Sequence, residues 1–234
     1  MEELRVHSIF ESISGEAGGF PQGTWCTFIR LQGCNLRCKW CDTVPSQNIG
    51  EGTRMYPEEI VAACGDQKYI LITGGEPLVQ SKALVPLLKL LLKQGRQVQI
   101  ETNGSLEIPP RFFDELPFVR PPIFWVMDYK CPSSGMSDKM PWIPALIKQI
   151  VNARKQGDLV YLKWVVADKN DLDFALFRIR QLRDGGDHTK HLISPLDGGG
   201  DKLTEIAEAI ERENADLLNH IIFSIQLHKI FGLP

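Results

Sequence analysis

The chain has 234 residues and a mass of 26.4 kDa, with 26 basic and 29 acidic residues mixed along its length and a formal net charge of -3. That length buries the core of one α/β domain, expected over 1–234, and the charge balance supplies no polycationic face for nucleic acid. The start, Met1 to Val6, is charged, and the most apolar later run, Ala83 to Leu92, is interrupted by Pro86 and Lys89, so neither a signal peptide nor a membrane span is expected.

Short apolar runs alternate with amphipathic stretches, without repeats or long linkers, which is a βα pattern. Strands are expected at Thr24 to Leu31, Tyr69 to Thr73, Val98 to Thr102, Ile123 to Asp128, Leu159 to Val166 and His191 to Ser194, with a late one at Ile221 to Ile225. Most are continuous β-rich runs, as parallel strands buried on both faces require. Leu84, Leu87, Leu88 and Leu91, stopped by Gly95, have the spacing of a one-sided helix, as do Ile143, Leu146, Ile147, Ile150 and Val151, stopped by Gly157. Further helices are expected at Leu172 to Arg183 and Leu203 to Glu213. Pro86 removes an interior hydrogen bond, so the first of these helices either begins near Val85 or kinks. About six βα-type strands fall short of the eight pairs of a complete barrel.

Cys34, Cys38 and Cys41 form a C-x3-C-x2-C cluster, preceded by Gly33 and followed by Asp42-Thr43. With three of six cysteines inside eight residues, a disulfide framework is not expected, and a reducing cytoplasm is the natural setting. Three thiolates this close point to a metal centre. It is either an iron–sulfur cluster with one iron left open, because such clusters ordinarily take four thiolates, or structural zinc with Cys26 or a histidine as fourth ligand. Cys64 and Cys131 have no assigned role, and burial is the favoured reading of Cys131. The other polar motifs fall at strand ends: Gly74-Gly75-Glu76-Pro77, Thr102-Asn103-Gly104 and Asp128-Tyr129-Lys130. Each alone has an ordinary reading, respectively a turn, a hairpin and an ion pair. Their common position at the carboxyl ends of parallel strands, after the cysteine cluster, points to one ligand-binding rim.

The cysteine triplet together with Gly74 to Pro77 resembles the radical S-adenosylmethionine superfamily. Within it, Phe10 to Ala17 and Phe28 to Thr43 are similar to the 7-carboxy-7-deazaguanine synthase family, with looser matches at Thr102 to Gly104, Asp128 to Pro132, Ser194 to Asp197 and Gln226 to Pro234. The resemblance implies a partial barrel of the radical S-adenosylmethionine type. It also implies conversion of 6-carboxy-5,6,7,8-tetrahydropterin to 7-carboxy-7-deazaguanine with loss of ammonia, using a 4Fe-4S cluster, S-adenosylmethionine, Mg2+ and an external flavodoxin- or ferredoxin-like electron donor. An open barrel exposes strand edges, and with the resemblance this leads to an expected homodimer.

Carried over by position, the resemblance makes Cys34, Cys38 and Cys41 the cluster ligands and Thr43 the magnesium ligand. Trp40, Gly75, Asn103, Asp128, Lys130, Ser194 and Asp197 would contact S-adenosylmethionine. Glu16 would accept from the guanine-like edge of the substrate and Arg30 would clamp its carboxylate. Thr73, His228 and the carboxylate of Pro234 would complete the substrate pocket, with Ser14 standing where relatives often have glutamine. Ser14-Gly15-Glu16-Ala17 and Cys131 to Gly135 depart from the family pattern, and neither touches the cluster. The competing enzyme reading is an activase of glycyl-radical enzymes, which shares the triplet. The non-enzymatic reading is a zinc-stapled binding domain.

Overall fold

The computed structural model describes residues 2–117, 119–197 and 199–233. In chain order the elements are β1 (Leu4–Ile13), β2 (Trp25–Leu31), β3 (Thr53–Met55), α1 (Pro57–Ala63), β4 (Tyr69–Gly74), α2 (Ser81–Lys93), β5 (Gln97–Thr102), α3 (Arg111–Asp114) and β6 (Ile123–Asp128). They continue with α4 (Ile143–Lys155), β7 (Leu159–Val166), α5 (Lys169–Asp184), β8 (Lys190–Pro195), α6 (Gly200–Asn214), β9 (Ile221–Phe223) and α7 (Leu227–Phe231). The strands form one nine-stranded sheet in the order β3-β1-β2-β4-β5-β6-β7-β8-β9. From β2 through β9 every neighbouring pair is parallel. β1 runs antiparallel to both β2 and β3. This is an open, incomplete barrel with short edge strands at β3 and β9.

All seven expected strands are present, six plus the late one, with ends shifted by a residue or two. β1 and β3, the antiparallel extension, were not foreseen. β1 mixes Arg5, His7, Ser8, Glu11 and Ser12 with its apolar residues because half of it is partly exposed. The first leucine helix begins at Ser81, well before Val85, and Pro86 lies inside it. Burial of Leu84, Leu87, Leu88 and Leu91 on its inner face, each worth about 1.5–3 kcal/mol, outweighs the one hydrogen bond that Pro86 cannot donate.

Alternation along the strands divides the molecule. Ile29, Leu31, Ile70, Ile72, Trp125 and Met127 face the helices and join the main core. The opposite, concave face begins with a second cluster of Phe20, Cys26, Phe28 and Leu71, with Phe10, Tyr69 and Phe124 packed against it. The Phe20 N–H donates to Gln99 Oε1 at 3.1 Å, fastening this plug across the sheet. Above the plug the inward positions turn polar, with Arg30 on β2, Thr73 on β4, Glu101 on β5, Asp128 on β6 and Lys163 on β7, and all five line one cavity. Cys64 and Cys131 are buried in the main core. Among the described residues no helix is long and apolar enough to cross a membrane.

Candidate active site

The loop after β2 is closed on itself by main-chain bonds. Gly33 N donates to Ser46 O at 2.7 Å and Cys34 N to Gln47 O at 3.0 Å. The Gln32 amide reaches Pro45 O and Asn48 O at 2.9 and 2.8 Å. Tied in this way, the loop turns Cys34, Cys38 and Cys41 into a cavity of about 530 Å³. Cys34 Sγ accepts from Leu36 N at 3.4 Å and from Asn103 Nδ2 at 3.7 Å. Burial pushes the thiols of Cys34 and Cys38 above the ordinary cysteine value, and metal coordination reverses that by deprotonating a thiol outright. Among the described residues no trio of His, Cys, Asp or Glu gathers round one ion. Three sulfurs in one wall, with N–H donors aimed at the first, fit a thiolate-held cluster whose potential responds to such bonds. Cys26 is not with them. It packs in the Phe20 cluster, where burial, then Glu101, pushes its thiol up to about 12.

The glycine-rich loop is pressed against this segment. A Cβ on Gly74 would stand 2.1 Å from Leu31 O, and one on Gly75 would stand 2.3 Å from Gly33 O. Gly74 also has φ of +139°, a region that favours glycine. Glu76 is buried and binds both neighbouring loops. Its Oε1 accepts from Leu78 N at 2.9 Å and Thr102 Oγ1 at 2.8 Å, and its Oε2 accepts from Asn103 N at 2.6 Å. Burial raises its pKa against these three bonds. Glu76 thus fixes Asn103, which lines the cavity beside Cys34. From the sequence, Gly75 and Asn103 are the expected cofactor contacts here, and Glu76, a member of the same glycine-rich motif, has no individual role.

At the end of β6, Lys130 Nζ donates to Asp128 Oδ2 at 2.7 Å and lies 5.1 Å from the centroid of the Trp40 ring. Burial works against the Lys130 ammonium, but Asp128 and Cys38 outweigh it, and its pKa stands above that of an ordinary lysine. Asp128 Oδ1 is buried and has no partner among the described residues. Trp40 donates Nε1 to Ser133 Oγ at 3.1 Å and shows its ring to the cavity. Thr43, also on the wall, has Oγ1 3.8 Å from Cys41 Sγ. Ser194 is buried with no partner for its Oγ among the described residues, and Asp197 is exposed. Neither is in the cavity wall.

The far end of the cavity is built by Glu16, Arg30, Thr73, Glu101, Lys163 and His228. The Arg30 guanidinium lies 5.0 Å from the centroid of the Phe10 ring, and its buried Nε has no partner among the described residues. Glu16 is ion-paired with Lys163. Glu101 is raised to about 7, by burial first and then by Glu16, against Lys163, Thr73 and Gln99. His228 Nε2 is 3.7 Å from Asp42 Oδ2, and Leu227 N donates to Gly15 O at 2.9 Å, so α7 closes over the loop that carries Glu16. Ser14 is buried, with its Oγ donating to Glu16 O at 3.2 Å, and is not in the wall. Pro234 lies outside the described residues. Glu101 and Lys163 were missed as site residues. The signal was present, since Lys163 is a charge in the middle, and Glu101 a charge near the end, of a run otherwise reading as a strand.

The sequence profile of the Radical SAM superfamily matches residues 28–119. A 7-carboxy-7-deazaguanine synthase from Methanospirillum hungatei is 36% identical over 233 residues, covering 99% of this chain and 86% of that protein. One from Clostridium acetobutylicum is 34% identical over 234 residues, covering 98% and 96%. Among solved structures, QueE from Escherichia coli superposes with a TM-score of 0.66 at 21% identity, over 96% of this chain and 94% of that one. SuiB of Streptococcus suis bound to S-adenosylmethionine reaches 0.60 at 15% identity, over 82% of this chain and 48% of that one, and shares the fold. On its full-length identity to these synthases, the chain belongs to the 7-carboxy-7-deazaguanine synthase family of the radical S-adenosylmethionine superfamily, enzymes that work with a 4Fe-4S cluster and S-adenosylmethionine.

Proposed function

We propose that the chain, acting as one domain over 1–234, converts 6-carboxy-5,6,7,8-tetrahydropterin to 7-carboxy-7-deazaguanine with loss of ammonia. The observation that carries this is the single cavity in which the cysteine triplet meets a far end of paired charges built by Glu16, Arg30, Glu101 and Lys163. Its volume of about 530 Å³ suits small molecules and not a polypeptide. Cys34, Cys38 and Cys41 hold the cluster. Asp128, Lys130, Asn103, Gly75 and Trp40 face S-adenosylmethionine, with Asp128 Oδ1 free to accept from it. Held by these residues, the cluster and S-adenosylmethionine would supply the radical chemistry, hydrogen-atom abstraction, that the reaction requires. Arg30 binds the substrate carboxylate, Glu16 accepts from its N–H edge, and Thr73 and His228 complete its surround. Thr43 offers a hard oxygen to Mg2+. The walls exclude water and hold the reacting atoms in register.

An external one-electron donor, a cytoplasmic setting and a homodimer belong to the same reading, the last supported by the open edges at β3 and β9. The test is anaerobic incubation of the reconstituted, brown protein with S-adenosylmethionine, reductant and the pterin, followed by mass analysis. A product lighter by ammonia is expected, without net consumption of S-adenosylmethionine. Stoichiometric 5′-deoxyadenosine with the pterin untouched would instead mark an activase and overturn the reading, as would colourless protein that holds zinc.

A further inference from the structure

Lys163 has been given no individual role above, yet its ammonium is closely engaged by the carboxylates of the cavity. It sits in β7 opposite Asp128 of β6, and its carbonyl accepts from Tyr129 N at 2.9 Å. Its ammonium is ion-paired with Glu16, and each of the two side chains is only 13% exposed. Around it stand Glu16 from the β1–β2 connection, Glu101 from β5, Asp128 from the end of β6, Lys130 just after it, Asp42 from the cysteine loop and Lys229 from α7. Burial disfavours the ammonium, but Glu16, Asp128 and Glu101 together hold it charged, with its pKa above the ordinary lysine value. Two carboxylates, Glu16 and Glu101, therefore share one end of the cavity with Lys163 in their midst. Arg30 also stands beside Glu101, but the Lys163 ammonium is the cation paired with Glu16, and without it the repulsion between the carboxylates would push Glu101, already raised to about 7, further toward keeping its proton.

We propose that Lys163 is a positioning residue: its ammonium holds Glu16 in place as the acceptor facing the substrate's N–H edge and screens that carboxylate from Glu101. The proposal rests on the reading of Glu16 given above. A fixed acceptor matters because a site built to hydrogen-bond N–H groups discriminates steeply when those bonds are well made. Lys163 does this through Glu16 and not by touching the reacting atoms.

The test compares Lys163→Met, which keeps length and removes charge, with Lys163→Arg, which keeps charge, at equal iron and sulfide content and after melting curves have established folding. KM and kcat for the pterin, the pH profile of kcat/KM, and the carboxyl 13C titration of Glu101 are measured. In Lys163→Met, KM rises roughly tenfold or more while kcat changes less. The acid limb of kcat/KM moves to higher pH, and so does the Glu101 titration midpoint. Lys163→Arg returns all three toward the wild type. An unchanged KM and acid limb in Lys163→Met overturns the proposal, as does an arginine variant as impaired as the methionine one. Should the wild type not bind the pterin, the substrate reading fails by itself. The Glu101 titration then decides the role of Lys163: a rise in the methionine variant supports the screening, and an unmoved midpoint refutes it.

Discussion

Gly75→Ala probes a close main-chain approach between the two loops of the site. A Cβ at this position would stand 2.3 Å from Gly33 O, 2.6 Å from Gly33 C and 2.7 Å from Ser46 O. Real Cβ contacts do not fall below 3.0 Å, so the two loops must part by about 0.7 Å, the difference between 3.0 and 2.3. No flexible side chain is available to yield, because all three neighbours are main chain. The bonds from Gly75 N to Leu31 O, 3.1 Å, and from Glu76 N to Gly33 O, 2.8 Å, lengthen with the movement. Overpacking of this kind costs roughly 1–3 kcal/mol, and for a chain of this size each kcal/mol lowers the melting point by roughly 2–4 °C. Gly33 opens the cysteine loop, so the same displacement moves the cluster relative to the cofactor-binding rim. A misplacement approaching 1 Å is worth up to about a hundredfold in rate, and cleavage of S-adenosylmethionine by the reconstituted variant should fall roughly tenfold to a hundredfold. Anaerobic thermal circular dichroism, iron and sulfide content, and chromatography of 5′-deoxyadenosine provide the readings. Gly200→Ala, where no atom lies within 4 Å of the added carbon, is the control and should stay within about 0.5 kcal/mol of the wild type. A Gly75→Ala protein that melts and cleaves as the wild type does would refute the view that this contact sets the spacing of the two loops.

Thr43→Ala should keep its cluster, read by iron content and visible absorption, and lose magnesium stimulation of turnover; an undiminished magnesium response removes Thr43 from the metal. Asp158 is buried and accepts from Arg120 Nη1 at 2.7 Å, Ile123 N at 2.9 Å and Trp125 Nε1 at 3.2 Å. Asp158→Ala leaves a buried arginine uncompensated and should lose about 3–5 kcal/mol in urea titrations, and a loss under about 1 kcal/mol would contradict that account. His191 is fully buried, accepts from Trp164 Nε1 at 3.3 Å, and has its pKa lowered from 6.5 to about 4, chiefly by burial. Its folded value is depressed, so the unfolded chain binds the extra proton first and stability falls as pH drops from 6.5 towards 4, by roughly 3 kcal/mol at the acid end. His191→Phe should flatten that slope, and an equal slope in both proteins would place the acid sensitivity elsewhere.

The parallel strands were legible because most are apolar runs that must be buried on both faces, and the rim was legible because polar motifs stop those runs abruptly. β1 was not legible: it is half-exposed, its residues alternate only loosely, and its pairing with β2 and β3 is a long-range choice that no local pattern records. The cysteines and Gly75 declared themselves by spacing and by the glycine pair. Glu76, Glu101 and Lys163 did not, because their meaning lies in which neighbours they meet: Glu76 meets Asn103 across 27 positions, and Lys163 meets Glu16 only after the sheet has curved. Ser194 and Asp197 show the reverse limit, since a motif match gives an address along the chain without saying whether the side chain turns into the cavity.

The two ends of the cavity are built by different means. The cysteine end is held by main chain against main chain and by a buried carboxylate shared between loops, whereas Glu16 and His228 hang on the β1–β2 connection and on α7, joined among the described residues by one main-chain bond, from Leu227 N to Gly15 O. A protein engineer could therefore recut residues 14–17 and 226–233 to admit a different heterocycle, replacing the His228–Asp42 contact to the cysteine loop and leaving the rest of the radical-generating half in place. The converse exchange would have to replace four segments at once.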